Sequence, residues 1–274
     1  MDLSLVISAV IIVAVTGAIA ALILAIASKI FAVPVDETAE KIRECLPGAN
    51  CGACGFSGCD GYAAALSKGE TTNTALCNPG GNEASKAISE ITGLTAGEVK
   101  PMAAVVLCQG HNVNAKQKLI YQGVMSCRMA SQVFGGPKEC IYGCIGYGDC
   151  LKACEYGAIS ICNGIARINP TICKACKKCV NTCPKGLIEM MPLEETKAAV
   201  LCKNHDKGAN TRKECSAGCI GCMKCVKTCK HDAITIDAFC AKVDYEKCVG
   251  CAECHEACPV GSIDLVELVS QGGK

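Results

Sequence analysis

The cysteines of this chain recur in two segments at a constant offset of 75 in sequence number. The repeated positions are Cys140, Cys144, Cys150, Cys154, Cys173, Cys176, Cys179 and Cys183, then Cys215, Cys219, Cys225, Cys229, Cys248, Cys251, Cys254 and Cys258. Each segment ends in the run C-x2-C-x2-C-x3-C-P, in which three thiolates bind one 4Fe-4S cluster and the fourth binds a partner cluster. The repeat therefore predicts a duplicated unit that holds two clusters in each copy.

The composition agrees with a protein that folds around metal. The chain has 27 cysteines in 274 residues, four Phe, six Tyr and no Trp. So few large apolar side chains cannot fill several conventional cores, and modules built on inorganic clusters offset the loss of chain entropy instead. A disulfide scaffold is disfavoured because the cysteine count is odd and the two-residue gaps repeat. Zinc would prefer isolated sets of four ligands. The net charge of +1 gives no indication of a nucleic-acid partner.

The N-terminus predicts one transmembrane helix. Residues 3–28 carry no charge and lie between Asp2 and Lys29, which is long enough to span a bilayer. A cleaved signal peptide is the alternative, but the stretch exceeds an ordinary h-region and no basic residue precedes it. Basic residues begin at Lys29 and continue at Lys41 and Arg43. The positive-inside rule then predicts a single-pass protein of the cell membrane whose large C-terminal part is cytoplasmic.

A compact, glycine-rich segment follows at residues 46–81. Its loop CGACGFSGC carries Cys51, Cys54 and Cys59, and Cys77 completes a C-x2-C-x4-C-x17-C set. The glycines let the backbone wrap closely around a cluster, and the amides can hydrogen-bond its sulfurs. A helical pattern lies between the loop and Cys77. We predict a small, mainly helical domain with one 4Fe-4S cluster.

The duplicated units are predicted to be ferredoxin-like. AISICNGIARINP and AITIDAFCAKVDY alternate as hairpins do, which gives each unit a βαββαβ order. Strands are also predicted at 103–108 and 119–127. The predicted fold class is α+β, with a transmembrane anchor at 1–33, a one-cluster domain at 34–93 and two-cluster modules at 94–192 and 193–274.

The ligand sets of the modules follow the rule that the last cysteine of a run serves the other cluster. For the first module this pairs Cys140, Cys144 and Cys150 with Cys183, and Cys173, Cys176 and Cys179 with Cys154. Cys140 is recruited because Tyr147 occupies the usual middle position. For the second module regular spacing pairs Cys219, Cys222 and Cys225 with Cys258, and Cys248, Cys251 and Cys254 with Cys229. Whether Cys215 replaces Cys222 stays open. The prediction is five clusters on twenty cysteines.

The other cysteines are interpreted as buried core thiols, because small apolar cysteines are common in cores. They are Cys45, Cys108, Cys127, Cys162, Cys202 and Cys240. Cys127 and Cys202 also obey the offset of 75 and follow strand-like residues, but neither has neighbours at ligand spacing. A further cluster formed by some of these cysteines is the alternative.

No catalytic residue is indicated, and Gly146-Tyr147-Gly148 lacks the third glycine of a dinucleotide loop, so no direct nucleotide binding is expected. Two sets of lysines lie near the cysteine runs: Lys174, Lys177, Lys178 and Lys185, and Lys224, Lys227 and Lys230. They form either a solvated face or a dock for acidic ferredoxin.

The uncharged N-terminal helix, LPGANCGACGFSGC, CNPGG and the two later runs together resemble the B subunits of the Rnf complexes, the ion-translocating ferredoxin:NAD+ oxidoreductases of bacterial membranes. The resemblance covers essentially the whole chain, although shorter members have one two-cluster module where this chain has two. It implies a redox subunit, without a complete active site of its own, that relays electrons between soluble ferredoxin and the membrane subunits of the complex. Ion pumping and NADH handling would belong to those other subunits.

The alternative function is a membrane-tethered polyferredoxin that feeds a hydrogenase or a heterodisulfide-reductase type enzyme. A purely structural role for the clusters is disfavoured, because one cluster would suffice for folding. The sequence leaves open the pumped ion, the reduction potentials, the hop order and the direction of flux.

Overall fold

The computed structural model describes residues 3–30, 36–192 and 194–266. Helix α1 (Leu3–Ile30) contains an apolar stretch, Ile11–Lys29, with a mean hydropathy of 2.6 and no burial against the rest of the described chain. A helix that is apolar all round and unpacked has the length and composition to cross a membrane. The predicted anchor at 1–33 extends beyond the described helix at both ends.

The one-cluster region is mainly helical, as its sequence predicts. Its helices are α2 (Glu37–Cys45), α3 (Cys59–Ser67) and α4 (Gly81–Thr92). Asp36 caps α2 by accepting hydrogen bonds from the amides of Thr38 and Ala39. The helices enclose a small core in which Ile42, Tyr62 and Ile88 are almost completely buried.

The first repeated unit contains β1 (Met102–Val106), α5 (Cys127–Ser131), α6 (Asp149–Lys152), β2 (Ile159–Cys162), β3 (Ile165–Ile168), α7 (Lys178–Thr182) and β4 (Ile188–Pro192). The second contains β5 (Lys197–Val200), α8 (Gly208–Glu214), α9 (Lys224–Thr228), β6 (Ile234–Asp237), β7 (Cys240–Val243), α10 (Glu253–Glu256) and β8 (Ile263–Val266). In each unit the outer strands pair antiparallel and the inner two form a hairpin. Apart from α5 and α8, both units follow the order β-α-β-β-α-β.

The predicted strand at 119–127 is wrong. Ile120 and Val124 are exposed and pair with no strand among the described residues, and Cys127 instead begins α5. Alternation of apolar residues makes a strand only where a sheet edge is available to pair with it.

The two units pack against each other through their outer strands. Leu107, Met191, Ala199 and Leu201 form one buried cluster between them, and the Gln109 amide donates to the Leu201 carbonyl at 3.1 Å. The one-cluster region contacts the first unit, where Lys177 Nζ donates to the Ala53 carbonyl at 3.2 Å. Three cysteine-rich bodies therefore form a contiguous assembly.

Candidate iron-sulfur centres

Four cysteine loops share an unusual backbone. In each, the residues on both sides of the middle position have a left-handed φ; the pairs are Gly146 and Gly148, Ala175 and Lys177, Gly221 and Met223, and Gly250 and Ala252. Non-glycine residues in this conformation are strained and persist mainly at functional sites. Such turns also direct backbone N–H groups toward anions, including iron-sulfur clusters. The loop around Tyr147 keeps this conformation although its middle cysteine is missing.

Glycine is required at several of these positions for a second reason, and the contacts at Gly146 and Gly250 are the shortest. A β-carbon at Gly146 would lie 2.3 Å from the Gly164 carbonyl oxygen, and one at Gly250 would lie 2.2 Å from that of Thr196. Both contacts are with backbone, which cannot swing aside. The loops are therefore pressed tightly onto the neighbouring chain, which fixes where their cysteines point.

The one-cluster region brings its four predicted ligands together. Burial raises the pKa of the Cys77 thiol, and the nearby thiols of Cys59, Cys54 and Cys51 raise it further. Cys59 and Cys77 are buried, while Cys51 and Cys54 are partly exposed. These four side chains therefore face one another across the loop.

Three of the four groups predicted in the repeated units are also brought together. In each group burial raises the pKa of one thiol, and the charges of the other three thiols raise it further. The thiols with the raised pKa are those of Cys179, Cys225 and Cys254. The groups are Cys154, Cys173, Cys176 and Cys179; Cys219, Cys222, Cys225 and Cys258; and Cys229, Cys248, Cys251 and Cys254. Cys222, and not Cys215, lies in the second of these groups.

The remaining group differs from the prediction. Burial raises the pKa of the Cys150 thiol to about 12, and three neighbouring thiols raise it further, those of Cys144, Cys127 and Cys183. The same four cysteines line one cavity, and Cys140 does not line it. Cys127 thus stands in the place that Tyr147 leaves vacant.

Asp149 holds Cys127 in that place. Its Oδ2 accepts hydrogen bonds from Ser126 Oγ at 2.8 Å and from the Arg128 amide at 3.0 Å, one on each side of Cys127. The corresponding position of the second unit is Lys224, which has no such task because Cys222 is present there. The segment that carries Cys127 is therefore fixed to the same turn that lacks the cysteine.

Cys140 lies instead in a cavity between the two units, together with Cys108, Cys202 and Cys215. The offset of 75 that links Cys127 to Cys202 is a coincidence, because Cys108 and Cys202 are the residues that follow the first strand of each unit. The sequence does indicate that Cys108 and Cys202 are equivalent, because the similar segments AAVVLC and KAAVLC end at these two cysteines.

Three cysteines belong to none of these groups. Cys240 is buried and donates from Sγ to the Cys202 carbonyl at 3.2 Å, and Cys45 donates to the Lys41 carbonyl at 3.4 Å. Cys162 is exposed, so its interpretation as a core thiol is wrong. It lies at the end of β2, whose first residue Ile159 is buried.

The donor chemistry of the cysteine groups fits iron-sulfur clusters. Thiolates are the ligands of such clusters, and hydrogen bonds to their sulfurs tune the potential. Backbone amides supply these bonds here: Ala166 to Cys144 Sγ at 3.5 Å, and Ser262 to Cys258 Sγ at 3.3 Å. Among the described residues, no three His, Cys, Asp or Glu side chains converge closely enough to hold a single metal ion.

Two family models match parts of the chain. Residues 46–79 match one described as "Putative Fe-S cluster", and residues 218–262 match a 4Fe-4S dicluster domain. These segments coincide with the one-cluster region and with most of the second unit.

Relatives cover much more of the chain. It is 42% identical over 241 residues to the B subunit of the Na+-translocating ferredoxin:NAD+ oxidoreductase complex of Acetobacterium woodii, an alignment that spans 88% of this chain and 72% of the relative. It is 37% identical over 264 residues to the B subunit of the ion-translocating oxidoreductase complex of Methanosarcina acetivorans, 96% of this chain and 99% of the relative. The chain belongs to the family of Rnf-complex B subunits.

A third member of this family supports the same extent of similarity. The B subunit of the proton-translocating ferredoxin:NAD+ oxidoreductase complex of Clostridium ljungdahlii is 37% identical over 253 residues, which is 91% of this chain and 89% of the relative. In all three cases the aligned length exceeds either matched segment. Family membership therefore applies to the chain as a whole, including the first unit.

Proposed function

We propose that this chain is the iron-sulfur subunit that passes electrons between soluble ferredoxin and the membrane redox subunits of an ion-translocating ferredoxin:NAD+ oxidoreductase. The observation that carries the proposal is the continuous series of four-cysteine groups from the region next to α1 to the second unit. The names of relatives that align over most of the chain favour this function over a polyferredoxin for another enzyme.

Five clusters of the 4Fe-4S type are assigned to motif cysteines. Four sets are those that the sequence predicts, and in the remaining set Cys127 takes the place of Cys140. The revised set is Cys127, Cys144, Cys150 and Cys183, supported by the shared cavity and by the left-handed turn retained around Tyr147. Each unit is then a two-cluster ferredoxin module.

The membrane end of the relay is the one-cluster region. Burial raises the pKa of the Cys176 thiol, and the Cys51 thiol of the neighbouring region raises it further. Lys177 fastens the two loops together through the Ala53 carbonyl. Electrons therefore pass between the group containing Cys51 and the group containing Cys176, and from there along the first unit to the second.

The order of the chain distinguishes a membrane end of the relay from a distal end. Cys51 follows α1 after only a short segment and α2, whereas the second unit is the far end of the series. Basic residues on the C-terminal side of α1 support a cytoplasmic location for these regions. The one-cluster region is thus the point of exchange with the membrane subunits.

The test uses the assembled complex with Cys54→Ala in this subunit. Electron transfer from ferredoxin to NAD+ is expected to be lost, while about four of the iron atoms of this subunit disappear and the remaining clusters are still reduced by ferredoxin. Cys45→Ala is the matched control, because Cys45 lies in the same region and belongs to no group. Full activity in the Cys54→Ala complex, with its cluster absent by spectroscopy, contradicts the proposed relay.

A further inference from the structure

A cavity between the two repeated units is lined by four cysteines that belong to none of the motif sets proposed above. They are Cys108, Cys140, Cys202 and Cys215. The cavity and the open space at its mouth together measure about 380 Å³. The cavities at Cys150 and at Cys225, each lined by a complete motif set, measure about 370 and 340 Å³ with their mouths included. The interface cavity therefore matches two cluster cavities both in size and in the number of its cysteines.

Each unit contributes the same two cysteines. Cys108 and Cys202 each lie two residues after the first strand of their unit, and Cys140 and Cys215 are separated by the repeat offset of 75. The internal repeat thus places equivalent pairs on the two sides of one interface. Because both halves of the duplicated chain supply the same two cysteines, the arrangement indicates one ligand site shared between the units. Core packing alone would not require four cysteines at this interface.

The sulfurs lie close together. A β-carbon at Gly110 would contact both Cys108 Sγ, at 3.4 Å, and Cys215 Sγ, at 3.8 Å, so these two sulfurs border the same point of the cavity. Asn204 joins the other two, since its amide donates to Cys202 Sγ at 3.4 Å and its Nδ2 donates to Cys140 Sγ at 3.5 Å. Sulfurs that share their neighbours in this way can surround a cluster.

Hydrogen bonding separates these cysteines from two that belong to no group. Cys108 Sγ accepts from the amides of Gly110 at 3.3 Å and Cys144 at 3.4 Å. In contrast, Cys240 and Cys45 donate to carbonyls, as protonated thiols do. Several N–H donors directed at buried sulfurs are the environment of thiolate ligands.

A buried positive charge lies beside the cavity. Lys138 is only 4% exposed, and its Nζ donates to the carbonyls of Gly110 and Gly164, both at 2.8 Å. Neutral carbonyls do not compensate a buried charge, which requires an anionic partner. A cluster with four thiolates carries net negative charge and is such a partner.

We propose that Cys108, Cys140, Cys202 and Cys215 bind an additional 4Fe-4S cluster between the two units, with Lys138 as its buried counter-charge. The proposal rests on the proposed electron-transfer function. Each of the four thiolates binds one iron, and the site accepts and returns one electron with no other bond formed or broken.

The position of the site explains what it would do. The Cys144 amide donates to Cys108 Sγ, and Cys202 packs against the buried cluster that contains Cys219. Cys144 and Cys219 belong to the facing groups of the first and second unit. The interface site therefore lies between the clusters of the two modules and would shorten the electron-transfer distance from one module to the other.

The first test is metal analysis of the full chain, purified without oxygen and reconstituted. The wild-type chain is expected to hold about 24 iron atoms, and the Cys108→Ser, Cys202→Ser variant about 20. Cys240→Ser, which removes a buried thiol beside Cys202, keeps about 24. A wild-type value of about 20, or zinc at the interface in place of iron, overturns the proposal. An iron content well below that of five clusters in the wild-type chain contradicts the motif clusters instead, so the two failures are distinguishable.

The second test keeps the cluster and removes the charge. Lys138→Met is expected to retain about 24 iron atoms and to lower the midpoint potential of one cluster among six, because reduction adds negative charge that Lys138 stabilises. The control is Lys213→Met, at the equivalent position of the second unit, where the side chain is exposed; it leaves all potentials unchanged. Identical redox titrations of the two variants overturn the role of Lys138.

Discussion

Among single residues, Tyr147 and Cys127 carry the sharpest consequence of the structure. The turn around Tyr147 has the same pair of left-handed residues as the turns around Cys176, Cys222 and Cys251. What it lacks is only the thiol, and in the proposed ligand set Cys127 supplies one from another part of the chain. A cysteine at either position should therefore complete the same ligand set.

We expect Cys127→Ser to cost the chain about four iron atoms, and Tyr147→Cys added to it to restore them. Iron and sulfide analysis measures both effects. Cys162→Ser, which removes an exposed cysteine of the same unit, should change neither value. Unaltered iron in Cys127→Ser would show that Cys140 is the ligand, as the spacing alone predicts.

This substitution also marks what the sequence can and cannot predict. Three complete sets in the units and the one-cluster set follow from local spacing, because a short run fixes the distances between its own cysteines. The role of Cys127 does not follow from local spacing. The equivalent residues Cys108 and Cys202 are farther apart in sequence than the offset of 75, so the first unit contains an insertion between Cys108 and the start of the repeat. Tertiary contacts, here the hydrogen bonds of Asp149, decide where the end of such an insertion packs. The spacing of the cysteines does not determine this position.

Among the elements, the hairpins and short helices were predictable because each depends on neighbours in sequence. The contact between a cysteine loop and the strand beside it is not local. Gly250 in the last cysteine run packs against the Thr196 carbonyl, just before β5, although the two residues lie at opposite ends of the second unit. A side chain at Gly250 would push the loop away from that strand and with it the ligand Cys251.

Gly250→Ala is expected to lose about four iron atoms, since its β-carbon would lie 2.2 Å from a backbone oxygen. Gly261→Ala is the control, because Gly261 has a similar φ of 62° but open space around its β-carbon. It should keep its iron and lose only the roughly 1–2 kcal/mol that a left-handed alanine costs in the free energy of unfolding. Equal iron loss in both variants would mean that backbone strain, and not the loop contact, decides cluster retention.

Over the whole molecule, the lysines favour one end for docking of the proposed soluble partner. In the first unit Lys178 pairs with Glu155, Lys177 contacts the one-cluster region, and Lys185 donates to the Ile141 carbonyl at 2.6 Å. In the second unit Lys224 and Lys227 are exposed on α9, and the nearby thiol of Cys222 is exposed as well. An acidic ferredoxin would therefore dock at the second unit, the end of the series farthest along the chain from α1.

Reversal of Lys224 and Lys227 to glutamate should slow the reduction of the full chain by ferredoxin roughly tenfold at low ionic strength, because surface charges act mainly on the association rate. The difference from wild type should shrink as salt screens these charges. Stopped-flow reduction at several salt concentrations measures both effects. Lys68→Glu with Lys86→Glu is the control, since these exposed lysines make the same charge change on the one-cluster region. Equal slowing in the two variants would mean that the net charge of the chain causes the effect, which contradicts a docking site at the second unit. Slowing confined to the variant at Lys224 and Lys227 would support entry of electrons at the cluster of Cys219, Cys222, Cys225 and Cys258.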